Sequence, residues 1–202
     1  MPRILILFAH PALEKSSVHA RLIKEAAQIP GVTLHDLYEA YPDFDVQVAK
    51  EQQMLLAHDI IVWQHPFYWY SAPALLKQWL DLVLEHGWAY GSGGVKLAGK
   101  RTLSIISCGG SLDAYSPEGR NRFTIPHFLA PFEQTAHLCK MTYMPPFVVP
   151  GTHRLNREEM EQYALQYRQL LEKLVADPDF ATSAPDVTFL NNLVSQFPML
   201  QL

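Results

Sequence analysis

The chain has 202 residues, enough for one domain with a full core. A net charge of −4 and the absence of any Lys/Arg run exclude a nucleic-acid binder. Two cysteines, Cys108 and Cys139, point to reduced thiols in a cytoplasmic protein, and no apolar stretch approaches a membrane span or a signal peptide, so any membrane association is expected to be peripheral.

The chain opens with an apolar strand over residues 3–8, ended by Ala9, His10 and Pro11. Ser16 and Ser17 are good helix N-caps, and a helix is predicted over residues 17–28 with Val18, Leu22 and Ala26 on one side. A helix N-terminus directly after a first strand offers free N–H groups and a positive dipole end, which suits a phosphate. The segment is neither a P-loop nor a G-x-G-x-x-G dinucleotide turn.

A second strand is predicted over residues 32–37, a helix over 46–58, and a third, buried strand over 59–64. Next comes a turn crowded with Phe67, Tyr68, Trp69 and Tyr70. Pro73 then marks the start of a helix over residues 73–85, with Leu75, Leu76, Trp79, Leu80, Val83 and Leu84 at core spacing. Aromatics between a strand end and a helix start form a platform for a flat ring.

A fourth strand, residues 101–107, runs through Ser107 into Cys108, Gly109 and Gly110, where glycines let backbone N–H groups approach a ligand. Residues 109–130 read as a long connection, and long ordered loops are usually functional. A helix over 131–140, a strand over 141–149 and a helix over 157–175 complete the pattern; Asn156 and Glu159 form a capping box. Five strands alternating with helices predict a three-layer α/β sandwich over residues 1–176. In such sheets ligands lie outside the carboxyl ends of the strands, so the three decorated ends converge on one site. The tail, residues 177–202, carries Val187, Phe189, Leu190, Leu193, Val194 and Phe197. It is too apolar for simple disorder and is expected to pack on its own domain or on a dimer partner.

These motifs resemble the flavodoxin-like NAD(P)H:quinone oxidoreductases, and within them the small ancillary proteins of glutathione-gated potassium efflux systems. The resemblance rests on Phe8-Ala9-His10-Pro11 with Ser16, Tyr41-Pro42-Asp43-Phe44, Val62-Trp63-Gln64-His65-Pro66, Trp69-Tyr70-Ser71, His86-Gly87-Trp88-Ala89-Tyr90-Gly91 and Met144-Pro145-Pro146-Phe147, in the same order. It covers roughly residues 3–172. It implies a flavodoxin-like fold with a parallel sheet in the order 2-1-3-4-5, helices on both faces, and a homodimer with two flavin sites. It also implies bound FMN (FAD as the alternative), NAD(P)H as co-substrate and a quinone as acceptor.

The family motif places His10, Ser16, Ser17, Val18 and His19 around the flavin phosphates. It places Phe67, Tyr68, Trp69 and Tyr70 along the ribityl chain and ring, and Ser107, Cys108, Gly109 and Gly110 at the pyrimidine edge. Tyr115 matches the tyrosine that supports the reduced flavin. Asn121 stands where its histidine partner is usual; it can donate a hydrogen bond but takes no proton near neutral pH.

The resemblance thus implies a hydride transfer from NAD(P)H through flavin to a quinone. N–H groups of Cys108, Gly109 and Gly110 are the candidates for stabilising charge at the pyrimidine edge. The alternative is a regulatory subunit that activates a potassium efflux antiporter, held at the inner face of the membrane by that partner and not by lipid insertion. An electron-carrying flavodoxin ranks lower, because such carriers are strongly acidic. No metal site is expected, since nine histidines and two cysteines show no ligand spacing.

Overall fold

The computed structural model describes residues 1–181 and 187–194. The first strand, β1 (Ile4–Phe8), is followed by α1 (Ser17–Ala26), β2 (Val32–Asp36), the short α2 (Leu37–Ala40), α3 (Val48–Ala57) and β3 (Ile60–Pro66). Then come α4 (Ala74–Val83), β4 (Arg101–Ser107), α5 (Ile125–Leu138), β5 (Thr142–Tyr143), β6 (Phe147–Val149), α6 (Arg157–Ala176) and α7 (Asn191–Val194). The strands run parallel in the order β2-β1-β3-β4-β5, and β6 also pairs with β4. The predicted order is therefore observed, with the fifth strand in two pieces. The break falls at Met144-Pro145-Pro146, where two prolines remove ladder donors.

The continuous apolar strands are explained by layers on both faces. Leu5 and Leu7 of β1 join a core with Leu55, Leu75, Trp79, Leu129 and Phe132 from α3, α4 and α5. Ile4, Ile6 and Phe8 join a core on the opposite face with Val18, Leu22, Tyr167 and Leu170 from α1 and α6. The capping box of α6 forms as expected: the Glu159 N–H donates to Asn156 Oδ1 at 2.9 Å, and the Asn156 N–H donates to Glu159 Oε2 at 2.8 Å.

The helix predicted to start at Pro131 starts earlier. Thr124 caps α5, and Pro126 occupies its first turn. Pro131 lies inside the helix, where it removes one backbone bond. Burial of Ile125, Leu129, Phe132 and Ala136 on one stripe holds the helix together across it. The connection after β4 is correspondingly shorter than residues 109–130.

After α6, Phe189, Leu190 and Val194 are buried. The Leu190 N–H donates to the Pro146 carbonyl at 3.0 Å. The Asn191 side chain accepts from the Val148 N–H at 2.9 Å and donates to its carbonyl at 3.0 Å. The Asn191 amide thus pairs with β6 as a neighbouring strand would. Phe197 lies outside the described residues. Among the described residues no helix is long and apolar enough to cross a membrane.

Candidate functional site

The carboxyl ends of β1, β3 and β4 open into one cleft of about 450 Å³, a size suited to a small-molecule ligand. From the β1 side it is walled by His10, Ser16, Ser17 and Val18. Ser16 caps α1: its Oγ accepts from the His19 N–H at 3.1 Å. The Ser17 and Val18 N–H groups, at the first two positions of the helix, have no intrahelical carbonyl to bond, and both residues line the cleft, an arrangement suited to an anion. His10 Nδ1 accepts from the Ala12 N–H at 3.1 Å, and burial lowers the pKa of the imidazole despite the attraction of Glu14.

His19 is not a cleft residue. Its side chain is fully buried behind the wall, with Nε2 2.9 Å from Ser107 Oγ. Burial, with His10 and His65 nearby, holds its pKa well below the ordinary value, so the ring is neutral. The sequence carried the signal, since His19 lies three residues before Leu22 on the apolar stripe. His65 is a core histidine: it stacks on Phe132 at 5.4 Å, and burial lowers its pKa to about 4.

The aromatic turn after β3 makes the opposite wall. The Ser71 N–H donates to the Tyr68 carbonyl at 3.0 Å, and the two residues form an antiparallel bridge. Trp69 and Tyr70 between them have φ of 49° and 61°. Positive φ at both central positions is the backbone of a hairpin turn that ordinarily takes Asn-Gly. Bulky residues there are strained, and such strain gathers at ligand sites. Trp69 is nevertheless 93% exposed at the cleft mouth. Phe67 and Tyr68 line the cleft below it.

The third wall is Ser107 and Gly109. A Cβ on Gly109 would sit 2.6 Å from His153 Nε2, so glycine is what lets the two loops close together. The Cys108 N–H is bonded to the Val149 carbonyl at 2.9 Å and extends the β4–β6 ladder. This corrects the expectation for that N–H: it points at β6 and not into the cleft. The Cys108 side chain is buried, and burial pushes its thiol up to about 12, so it stays protonated.

Gly110, Tyr70, Tyr115 and Asn121 border a smaller hollow of about 280 Å³ that shares Phe67, Trp69, Gly109 and His153 with the main cleft. Tyr70 donates to Asn121 Oδ1 at 3.3 Å and stacks on Phe128 at 5.0 Å. Tyr115 is buried among Phe67 and Phe128, and burial together with Cys108 raises its pKa, so the phenol keeps its proton.

Lys15, Thr152, His153 and Arg120 also reach these two spaces, and sequence reasoning missed them. Thr152 and His153 follow β6 as Gly151-Thr152-His153, one more decorated strand end. That loop is laced to the Gly-Gly turn: Gly151 and Thr152 N–H groups donate to the Gly110 and Cys108 carbonyls at 2.9 and 3.1 Å. Lys15 adds positive charge beside the α1 N-terminus, which deepens the preference for an anion there, and Arg120 lines the smaller hollow. Among the described residues no three His, Cys, Asp or Glu side chains cluster as metal ligands.

The parallel sheet and a cleft at its strand ends define a ligand-binding α/β protein of the doubly wound class. Residues 2–171 match the family described as flavodoxin-like fold, and the chain belongs to it. The glutathione-regulated potassium-efflux system ancillary protein KefG of Pectobacterium carotovorum is 47% identical over 170 residues, 84% of this chain and 93% of that protein. The crystal structure of general stress protein 14 from Treponema denticola, in complex with FMN, superposes with a TM-score of 0.81 at 40% identity, covering 87% and 99% of the two chains. The crystal structure of a NADPH-quinone reductase from P. pentosaceus superposes with a TM-score of 0.76 at 34% identity, covering 83% and 96%.

Proposed function

We propose that this protein is an FMN-dependent NAD(P)H:quinone oxidoreductase. One observation carries the reading: a helix N-terminus suited to phosphate and an exposed, backbone-strained tryptophan share one cleft. The residues fit FMN. Ser16, Ser17, Val18 and Lys15 suit its phosphate, Trp69 and Tyr68 its flat ring system, and the bare Cα of Gly109 allows close approach. The FMN complex of the Treponema relative supports FMN over FAD. The named activity of the P. pentosaceus reductase supports the quinone.

Bound FMN would supply the acceptance and return of a hydride between NAD(P)H and the quinone. The chain's own part is to bind, orient and tune. Gly109 and Gly110 hold backbone N–H groups at the end of β4, where they suit negative charge without reorganising. Tyr115, held protonated, donates and does not act as a base. No general base is needed for hydride transfer, and Asn121 takes no proton near neutral pH. The proposal includes a homodimer, supported by the exposed apolar side chains of Phe123, just before α5, and Leu138, at its last turn.

The test is chemical. Purified protein is denatured and the released chromophore compared with FMN and FAD. A colourless protein that neither flavin reconstitutes overturns the reading. Ser16→Asp keeps a helix cap but places a carboxylate where the phosphate belongs, and repulsion plus the lost hydroxyl donor should cost about 1 kcal/mol or more each, a loss of at least ten-fold in FMN affinity. Unchanged affinity in a titration moves the phosphate elsewhere. Tyr115→Phe should slow reduction by NAD(P)H in stopped flow while leaving FMN affinity within about two-fold; identical traces would return Tyr115 to the ring cluster alone.

A second reading rests on the KefG relative's name: an ancillary subunit of a potassium efflux antiporter. Co-purification with such an antiporter, retained by a variant that has lost quinone turnover, would support it. Brisk turnover with no capture of the antiporter would remove it.

A further inference from the structure

A line of buried polar side chains runs from α6 to the cleft. The Tyr167 hydroxyl donates to Gln64 Oε1 at 2.7 Å. Gln64 Nε2 is 3.4 Å from His19 Nδ1, and His19 Nε2 is 2.9 Å from Ser107 Oγ. Tyr167, Gln64 and His19 are each 0% exposed, and Ser107 alone of the four reaches the cleft. Four elements supply one residue each: α6, β3, α1 and β4.

The line can be protonated in two self-consistent directions, and burial decides between them. In one, Tyr167 donates to Gln64, the Gln64 amide donates to His19 Nδ1, and His19 Nε2–H donates to Ser107. In the other, the Gln64 amide is flipped and every arrow is reversed, so that Gln64 donates to the Tyr167 oxygen and the Tyr167 proton must find another acceptor. The ring of Tyr167 packs on Phe147 at 6.0 Å, inside the apolar core of that face. An orphaned buried O–H costs more than an unused lone pair on an oxygen that already donates. The first direction wins. In it the Ser107 oxygen accepts from His19, and the Ser107 proton is left to point into the cleft.

We propose that Tyr167, Gln64 and His19 are positioning residues that fix Ser107 as a hydrogen-bond donor toward an acceptor atom of the bound ligand. A neutral His19 is required, and a fully buried ring with His10 and His65 nearby stays neutral. The acceptor is an oxygen or unprotonated nitrogen; on the FMN reading, a hydroxyl, phosphate or carbonyl oxygen of FMN. That last clause rests on the proposed function, while the direction of the line does not.

The experiment reads the tautomer directly. ¹⁵N-labelled protein without ligand is examined by long-range ¹H–¹⁵N correlation of the His19 imidazole. The expected pattern is a protonated Nε2 and a bare Nδ1, unchanged between pH 6 and 8. A protonated Nδ1, or a ring that titrates in that range, overturns the proposal. Tyr167→Phe removes the anchor, so both tautomers should appear; an unchanged single tautomer takes Tyr167 out of the role and overturns the proposal. Ser107→Ala should lower FMN affinity roughly five-fold. An affinity equal to wild type removes the donor role. A wild-type protein that binds no FMN would sink the flavin reading, yet the tautomer in ligand-free protein would still decide the direction of the line.

Discussion

Trp69→Asn is expected to give a more stable protein that binds its ligand far less well. Trp69 sits at φ 49° with 93% of its surface exposed, so folding gains almost nothing from its burial. A left-handed conformation costs a bulky residue about 1–2 kcal/mol, and asparagine tolerates it at hairpin turns. Relief of about 1 kcal/mol should raise Tm by roughly 2–4 °C in a chain of this length. Asparagine is the better replacement than glycine, because glycine would widen the unfolded ensemble and cancel part of the gain. Binding moves the other way. An aromatic wall at the cleft mouth is worth on the order of 1.4 kcal/mol or more against a planar ring, so FMN affinity should fall at least ten-fold. Tyr70 is a poorer target for this test, since its stack on Phe128 and its bond to Asn121 would be lost as well. Thermal melts and an FMN titration on the same variant decide the matter. A lower Tm, or unchanged affinity, would mean that the strain serves no ligand.

What could be read in the sequence follows physical lines. Strands β1, β3 and β4 were visible because both of their faces are covered, which leaves uninterrupted apolar runs. The fifth strand reads as one piece, since an apolar run does not show that Pro145-Pro146 breaks its ladder. Pro131 reads as a helix start because proline usually breaks a helix. Here a buried stripe extending six residues before it outweighs the missing bond. The three loops of the cleft were legible from strand ends followed by caps, aromatics and glycines. The fourth, Gly151-Thr152-His153, was hidden behind the misread strand. The sequence offers the Cys108 N–H to a ligand because composition does not show which donors a neighbouring strand uses; the Val149 carbonyl uses that one. Local pattern shows where a ligand can sit. It does not show which polar atoms the protein keeps for itself.

The same limit explains why nothing in the sequence drew attention to Glu51, whose loss is expected to be the most damaging single change to the fold. Its carboxylate lies 0% exposed under the β2 edge of the sheet. Its Oε1 accepts from His35 Nε2 at 2.9 Å and from the Tyr41 hydroxyl at 2.5 Å. Its Oε2 accepts from Trp79 Nε1 at 2.8 Å. One acceptor thus joins β2, the residue after α2, α3 and α4. Burial alone would raise the pKa of Glu51, but the bonds from His35, Tyr41 and Trp79 outweigh it, and the net shift is downward. Glu51→Leu keeps the volume and orphans three donors, so it should cost about 3–5 kcal/mol, a large share of the stability of an ordinary domain. In urea the midpoint should fall accordingly, and Tm should drop by roughly 10 °C. Glu51→Gln keeps one acceptor and should cost less. The pH dependence has a definite sign. A carboxylate with a lowered folded pKa stabilises above its ordinary value of 4.5, and that contribution is lost as pH falls through the lower folded value. The stability gap between wild type and Glu51→Gln should therefore be widest near neutrality and shrink in acid. A gap that is constant from pH 7 to pH 3, or a Glu51→Leu variant with the wild-type midpoint, would mean that the three donors find other partners when the carboxylate is gone.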